Sequence, residues 1–460
     1  MNTDQSNYKP TLPEAVFVTA VVLFIMGFGI IKLEITPHIP ILFSIILLIF
    51  FGLFKKIPFK LLHLGLTNGA SSGIGAMFLL LMIGLLIASW MMSGTIPTLI
   101  YTGFAIVTPK YFYAVAFVVT SVAGIAIGSS LTTIATIGLA FMAIADTMGL
   151  SLPVMAGAIV SGAFFGDKMS PLSDTTNLAS AVLNVDLFDH IRNMGWTTIP
   201  AFIISLILFA VFSPSVGESD LSQISHLRSS LAESGLIHWY SWIPIILMVI
   251  FSIKKIPALL SLALSSITAL ILSLFHLKIN AADFAWMLFS GYVSDTGNEA
   301  VDALLTRGGI ESMFFTMSLV LFALGMGGLL FQLGILPRLI EWLDDVLSTV
   351  KSSITGAALT AIGINVIIGE QYLSILLTGK SFQEKFRQLG LANKNLSRVL
   401  EDAGTVVNPL VPWSVCGVFI SSVLGISVLE YVPFAFFCLL SPVLTILFGF
   451  TGKTLTYIKN

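Results

Sequence analysis

The chain has 460 residues, 56% of them hydrophobic and only 10% charged, with a mean hydropathy of +0.97. A soluble protein carries about 25% charged residues, so this composition excludes a set of water-soluble domains and places the chain in a lipid bilayer. The net charge of −2 excludes nucleic acid as a partner, and two cysteines inside apolar runs, Cys416 and Cys438, exclude a disulfide framework or a thiolate metal site.

The first ten residues are polar, with neither a basic n-region nor a small-residue cleavage site. The apolar run from near Glu14 is therefore expected to be a retained helix, not a signal peptide. A crossing takes about 20 residues to span roughly 30 Å of hydrocarbon. Further runs begin near Ile39, Gly73, Tyr111, Ser129, Leu152 and Thr197. After a hydrophilic stretch, 213–238, a second series begins near Trp239, Ile256, Glu311, Ser352, Leu396, Pro412 and Tyr431. Some runs are too short or too polar to cross fully, which predicts roughly ten to twelve crossings.

The two series repeat one another. Gly73-Ile74 and Met77-Phe78 return as Gly309-Ile310 and Met313-Phe314. Gly94 and Pro97 return as Gly334 and Pro337, Gly128 and Gly138 as Gly369 and Gly379, and Gly166 with Pro171-Leu172 as Gly404 with Pro409-Leu410. Four ordered blocks at one nearly constant offset predict a duplicated chain: 1–212, a linker 213–238, and 239–460. Lys55, Lys56 and Lys60 follow the second span, Lys254 and Lys255 follow the first span of the second copy, and Lys453 and Lys459 close the chain. The positive-inside rule puts these and both termini in the cytoplasm and the linker outside, which inverts one copy relative to the other. Lys380, Lys385, Arg387, Lys394 and Arg398 fill a turn whose counterpart near Asp146 has no basic residue, which agrees. The expected architecture is all-α and polytopic, with two inverted-topology repeats, re-entrant hairpins and broken helices, as in alternating-access transporters.

Such proteins bind cargo where helices break on matching elements. The first break is Gly128–Thr133, where Ser129, Ser130, Thr132 and Thr133 offer hydroxyls; its counterpart begins at Gly369 and brings Glu370 and Gln371. A helix cap at Ser129 or Ser130 is the structural alternative, whereas an intramembrane carboxylate such as Glu370 is costly without a purpose. The second break is Gly166-Asp-Lys-Met-Ser-Pro-Leu-Ser-Asp-Thr-Thr-Asn177. Pro171 removes an amide donor, freeing carbonyls beside Ser170, Ser173, Asp174, Thr175, Thr176 and Asn177. That donor set is almost all hard oxygen, suited to Na⁺ near Ser170 and Asp174. Asp167 beside Lys168 reads either as part of this site or as half of a structural ion pair.

The stretch Gly166–Ala179 resembles the signature of the NhaC family of bacterial sodium/proton antiporters, and the length, the duplication and the segment Asp402–Pro412 resemble that family across nearly the whole chain. The resemblance implies two hairpins and two broken helices around a central site in the bacterial cytoplasmic membrane. It also implies Na⁺ and H⁺ as transported ions and a homodimer. Relatives include malate/lactate antiporters, so a small organic anion or an amino acid is the alternative cargo.

In the second copy, Asn408-Pro409 stands at the place of Ser170-Pro171, Pro412 at that of Asp174, and Trp413 and Ser414 at those of Thr175 and Thr176. The first copy, with Asn408, reads as the cation half. Asp167, Glu370, Glu401 and Asp402 read as proton-coupling groups or a second half-site, with Asp174 the first carboxylate for which Na⁺ and H⁺ compete. Glu401 and Asp402 flanking a cytoplasmic helix end near Arg398 is the structural alternative. Ser129, Ser130, Thr132, Thr133, Gln371, Trp413 and Ser414 are candidates for a substrate pocket. An organic anion would need a cation, and the motifs supply only Lys168 and helix ends, Arg192 and Arg307 lying nearer boundaries. His190, His226 and His238 fall in or near predicted loops, and His38, His63 and His276 near span ends, so neither a metal site nor a cofactor is expected. The 295–302 stretch reads as an outward-facing insertion. An intramembrane hydrolase built on Asp167, Asp174 and the serines is the remote alternative.

Overall fold

The computed structural model describes residues 8–106, 111–213, 228–254, 256–277, 279–295, 302, 305–306 and 308–458. Lys255, Arg307, Lys459, His226 and most of the 213–238 and 295–302 stretches lie outside the described residues.

The first copy runs α1 (Leu12–Gly27), α2 (His38–Phe54), α3 (Phe59–Ser71), α4 (Ile74–Met92), α5 (Thr95–Ile106) and α6 (Phe112–Ile127). It continues through α7 (Ser130–Thr133), a π-helical stretch, α8 (Leu139–Thr147), α9 (Leu152–Met169), α10 (Asp174–Val182) and α11 (Leu187–Phe212). The second copy follows the same order: α12 (Ile243–Ile253), α13 (Ala258–Ser273), α14 (Ala281–Ser290), α15 (Phe314–Gln332), α16 (Ile335–Val346), α17 (Val350–Ile368) and α18 (Gln371–Gln388). It closes with α19 (Asn393–Val399), a π turn over Leu400–Thr405, α20 (Val415–Leu424), α21 (Val428–Tyr431) and α22 (Phe436–Thr451).

Among the described residues, four helices are long and apolar enough to cross a membrane, three bent pairs pass the same test as broken spans, and five shorter apolar helices accompany them. The chain is thus an all-helical, multi-pass membrane protein. Its lipid-facing surface carries large exposed apolar side chains such as Phe17, Phe50, Ile207 and Val443.

Contacts between the copies are reciprocal. Helix α2 packs on α15 and its counterpart α13 on α4; α3 packs on α15 and α14 on α4; α10 packs on α18 and α20 on the π-helical stretch before α8; α11 packs on α19 and α22 on α9. Helix α11 also packs on its own counterpart α22. A set in which element i of one copy meets element j of the other, and j meets i, is the signature of a two-fold relation.

Both copies place their breaks by the same local devices. Gly128 and Gly369 end α6 and α17 with φ of 70° and 78°, a left-handed conformation that glycine adopts without strain. The next residues, Ser129 and Glu370, accept hydrogen bonds from Thr132 N and Leu373 N and start α7 and α18. Ser173 and Ser414 likewise start α10 and α20, accepting from Thr176 N and Gly417 N. The same number of residues separates Gly128 from Ser173 and Gly369 from Ser414. This corrects the register read from sequence: Pro171 corresponds to Pro412, Asp167 to Asn408, and Ser173 to Ser414. The sequence match at Pro409 slipped because the π turn and the turn that follows shift the local proline and glycine spacing.

Candidate functional site

A cavity of about 400 Å³ lies where the two copies meet. The first copy contributes the start of α7 (Ser129, Ser130, Thr132) and the second break (Asp167, Pro171, Asp174, Asn177). The second copy contributes Gln371 and Tyr372 from the start of α18, and Ile256 and Pro257 also line it. The polar groups aimed into this space are hydroxyls, amides and two carboxylates.

Tight packing fixes the position of these groups. Helix α9 lies against α6 so closely that a Cβ on Gly162 would fall 2.0 Å from Thr120 Oγ1 and 2.4 Å from the Phe117 carbonyl oxygen. At the C-terminal end of α9, Asp167 Oδ2 accepts from Ser130 N at 3.1 Å, tying the second break to the first. Ser170 takes extended backbone geometry and donates to the Ile125 carbonyl at 2.8 Å. Asn177 folds back on the break, its Nδ2 donating to the carbonyls of Pro171 at 3.0 Å and Ser173 at 2.6 Å. Ser173 and Thr175 share a hydroxyl contact of 3.0 Å, and Thr176 donates to the Lys168 carbonyl at 3.2 Å. Asp174, the first residue of α10, faces the cavity; its Oδ1 accepts from Thr175 N, and its Oδ2 accepts from the phenol of Tyr372.

The other sequence candidates divide. Ser129, Ser130, Thr132 and Gln371 line the cavity, whereas Thr133 is buried beside it, donating to the Ser129 carbonyl. Trp413 is buried away from the cavity with its indole N–H on the Val366 carbonyl at 2.6 Å, and Ser414 is spent on the α20 cap and the Asn408 carbonyl. Asn408 bridges the second copy's own break: its Nδ2 donates to Asn365 Oδ1 at 2.8 Å and its Oδ1 accepts from Cys416 N. Asn365 in turn donates to the Gly404 carbonyl at 2.6 Å, stapling the π turn to α17. The residue corresponding to Asn365 is Gly124, which in the first copy packs directly on Gly166. One copy closes the pair by contact of glycines and the other by a hydrogen-bonded amide.

Four readings change with the structure. Lys168 does not pair with Asp167; it pairs with Asp402 across the two copies, both side chains fully buried, and Thr445 donates to the second Asp402 oxygen. Asp402 and Glu401 are therefore interior groups and not surface flanks. His190 lies inside α11, buried, with Nδ1 on Ser397 at 2.8 Å, and not in a loop. Lys380, Lys385 and Arg387 belong to α18 and Lys394 and Arg398 to α19, so the predicted basic turn is two helix ends, with Arg398 buried against Thr454. Sequence reasoning missed Tyr372, Asn365 and Thr445; an isolated tyrosine or asparagine among apolar residues carries no motif.

Half-helices that meet from two related copies around a polar, oxygen-lined cavity in a membrane-embedded bundle are the construction of a secondary active transporter. The chain matches the model of the Na⁺/H⁺ antiporter family over residues 162–453. It is 40% identical to the Na⁺/H⁺ antiporter NhaC of Alkalihalophilus pseudofirmus over 96% of each chain. To the Na⁺/H⁺ antiporter NhaC of Bacillus subtilis it is 35% identical over 97% of this chain and all of that one. A third relative, the malate-2H⁺/Na⁺-lactate antiporter of Bacillus subtilis, is 33% identical over 98% of this chain and 97% of that one. The chain belongs to the Na⁺/H⁺ antiporter family.

Proposed function

We propose that the chain exchanges Na⁺ for H⁺ across the bacterial cytoplasmic membrane by alternating access. Its repeats, 1–212 and 239–460, are inverted about the external linker 213–238, with both termini cytoplasmic. The observation that carries this reading is the cavity's lining: two carboxylates, Asp167 and Asp174, with hydroxyls and amides at a helix break, and no cationic side chain among them. Hard oxygen donors around carboxylates suit a small alkali cation. Na⁺ sits near Ser170 and Asp174; Ser173, Thr175, Thr176 and Asn177 hold this break in shape through the bonds described above, and Asn408 does so for the second copy's break.

An organic anion is the second reading, supported by the likeness to the malate-2H⁺/Na⁺-lactate antiporter. Against it stands Lys168, whose ammonium is committed to Asp402 and is not among the cavity's lining residues. The test is proton movement in sealed proteoliposomes carrying a pH dye and an imposed ΔpH. Na⁺ added alone is expected to dissipate the gradient saturably; movement only after malate or lactate is supplied would reject Na⁺/H⁺ exchange as the main activity.

Tyr372 has a defined part in this reading. Its phenol is the one group from the second copy that holds Asp174 among the described contacts, and the positions corresponding to the pair, Leu131 and Val415, form no such bond. A hydrogen bond to a charged acceptor contributes about 1.5–3 kcal/mol. Tyr372→Phe is therefore expected to raise the KM for Na⁺ roughly tenfold while leaving kcat nearly unchanged.

A further inference from the structure

The carboxylates of the two breaks have partners, with one exception. Asp402 has Lys168 and Thr445, Asp174 has Tyr372 and its own Thr175 N–H, Asp167 has Ser130 N–H, and Glu370 has Leu373 N–H. Glu401 is fully buried, and neither of its carboxyl oxygens finds a hydrogen-bond partner among the described residues. Thr405 lies within reach on the same π turn, yet its hydroxyl is unbonded too. π turns inserted in helices occur frequently at functional sites, and this one presents Glu401 to the interior. A fully buried ionised carboxylate with no hydrogen bond carries a desolvation cost that the neutral acid avoids. In this conformation Glu401 is the neutral acid.

We propose that Glu401 is the proton-binding site of the exchanger, separate from the Na⁺ cavity, and that the two ions are coupled by charge between the sites rather than by competition for one carboxylate. This rests on the Na⁺/H⁺ exchange reading and deepens it. Lys168 and Asp167 of α9 and the adjacent Asp402 are the charged groups that face Glu401. The other elements packed on the π turn bring Arg398 from α19, Asp174 at the head of α10, Glu370 and Tyr372 at the head of α18, and Cys438 from α22. Their remaining titratable side chains, Lys351, Lys380, Glu384, Lys385, Arg387 and Lys394, are exposed or half-buried.

Lys168 faces Glu401 and stays paired with Asp402 throughout, so the part of the local balance that changes is Asp167 and whatever neutralises Asp167. With Asp167 unneutralised, its negative charge keeps the proton on Glu401. When Na⁺ enters beside Asp167 and Asp174 that charge is cancelled. The Glu401 O–H bond then breaks, its electron pair stays on the carboxylate, and the proton passes to water once the site is exposed. One cation enters as one proton leaves.

The experiment titrates Na⁺ into purified full-length protein from neutral to alkaline pH and reads Kd. Wild type is expected to bind Na⁺ about tenfold more tightly per pH unit, the slope of one-proton linkage. Glu401→Gln, a shape mimic of the neutral acid, is expected to bind at the weak low-pH affinity with no pH slope and to move no protons. Glu401→Asp is expected to restore the slope. A Glu401→Gln variant that keeps the wild-type slope overturns the proposal, since a merely structural role would alter stability and not the slope. Should that variant fail to fold, the wild-type infrared difference spectrum on Na⁺ addition decides: loss of a carboxylic-acid carbonyl band that shifts in Glu401→Asp supports it, and no such loss overturns it. Wild-type protein that neither binds Na⁺ nor moves protons on its addition overturns the exchange reading itself.

Discussion

Asp174→Asn is expected to lower Na⁺-driven proton movement in proteoliposomes by about 100-fold or more, with membrane insertion and thermal stability nearly unchanged. The substitution keeps the size of the side chain, and its amide oxygen still accepts from the Tyr372 phenol or from Thr175 N–H, so the start of α10 is preserved. What is lost is the negative charge on the exposed carboxylate of the cavity. Without that charge Na⁺ has no carboxylate to pair with at the second break, and a loss of about 3 kcal/mol in its binding corresponds to a 100-fold loss in affinity. Asp167 does not replace it: that residue is buried, with Oδ2 bound to Ser130 N–H, and it serves the join between the two breaks. Full activity in Asp174→Asn would move the Na⁺ site away from the second break. Loss of insertion together with transport would show that the charge is structural.

The membrane class and the duplicated order were legible because both depend on patterns that a linear chain displays: length of apolar runs, and glycines and prolines that recur. Gly128 and Gly369 could be found as break points because their left-handed φ leaves a residue-type signature. Helices α3, α5, α14 and α16 were not separately legible. They are short and mixed in polarity, so they read as the edges of neighbouring spans. Helix α11 begins ten residues earlier than its apolar run, at Leu187 and not Thr197, because its first turns carry Asp189, His190 and Asn193 and pack against α19. Copy register within the second break was misread for the same kind of reason. Pro409 is the more conspicuous proline, but the helix start that fixes the register depends on a serine cap, and caps are decided by backbone geometry. The partner of Lys168 lies 234 residues away, a pairing that no local pattern encodes.

That pairing carries the second large effect. Lys168→Met is expected to destabilise the folded protein by about 3–5 kcal/mol, read as a lowered melting temperature in detergent and reduced recovery from membranes, because it leaves the Asp402 carboxylate in a fully buried position with Thr445 but no cation beside it. Asp402→Leu is expected to be as damaging for the opposite reason, stranding the ammonium 5.7 Å from the Phe437 ring with no anion. The double variant Lys168→Met/Asp402→Leu is expected to recover most of the lost stability, since replacing both members of a buried pair with apolar groups of similar volume is often neutral. Single variants as stable as wild type would mean that the pair is dispensable to the fold. Transport is expected to behave differently from stability. The double variant folds, yet it lacks the ammonium that faces Glu401, so a carboxylate formed there on proton release has no cation to support it. Stability restored without exchange would separate the two tasks of Lys168: joining the copies, and making a charged Glu401 tolerable for the moment in which its proton is gone.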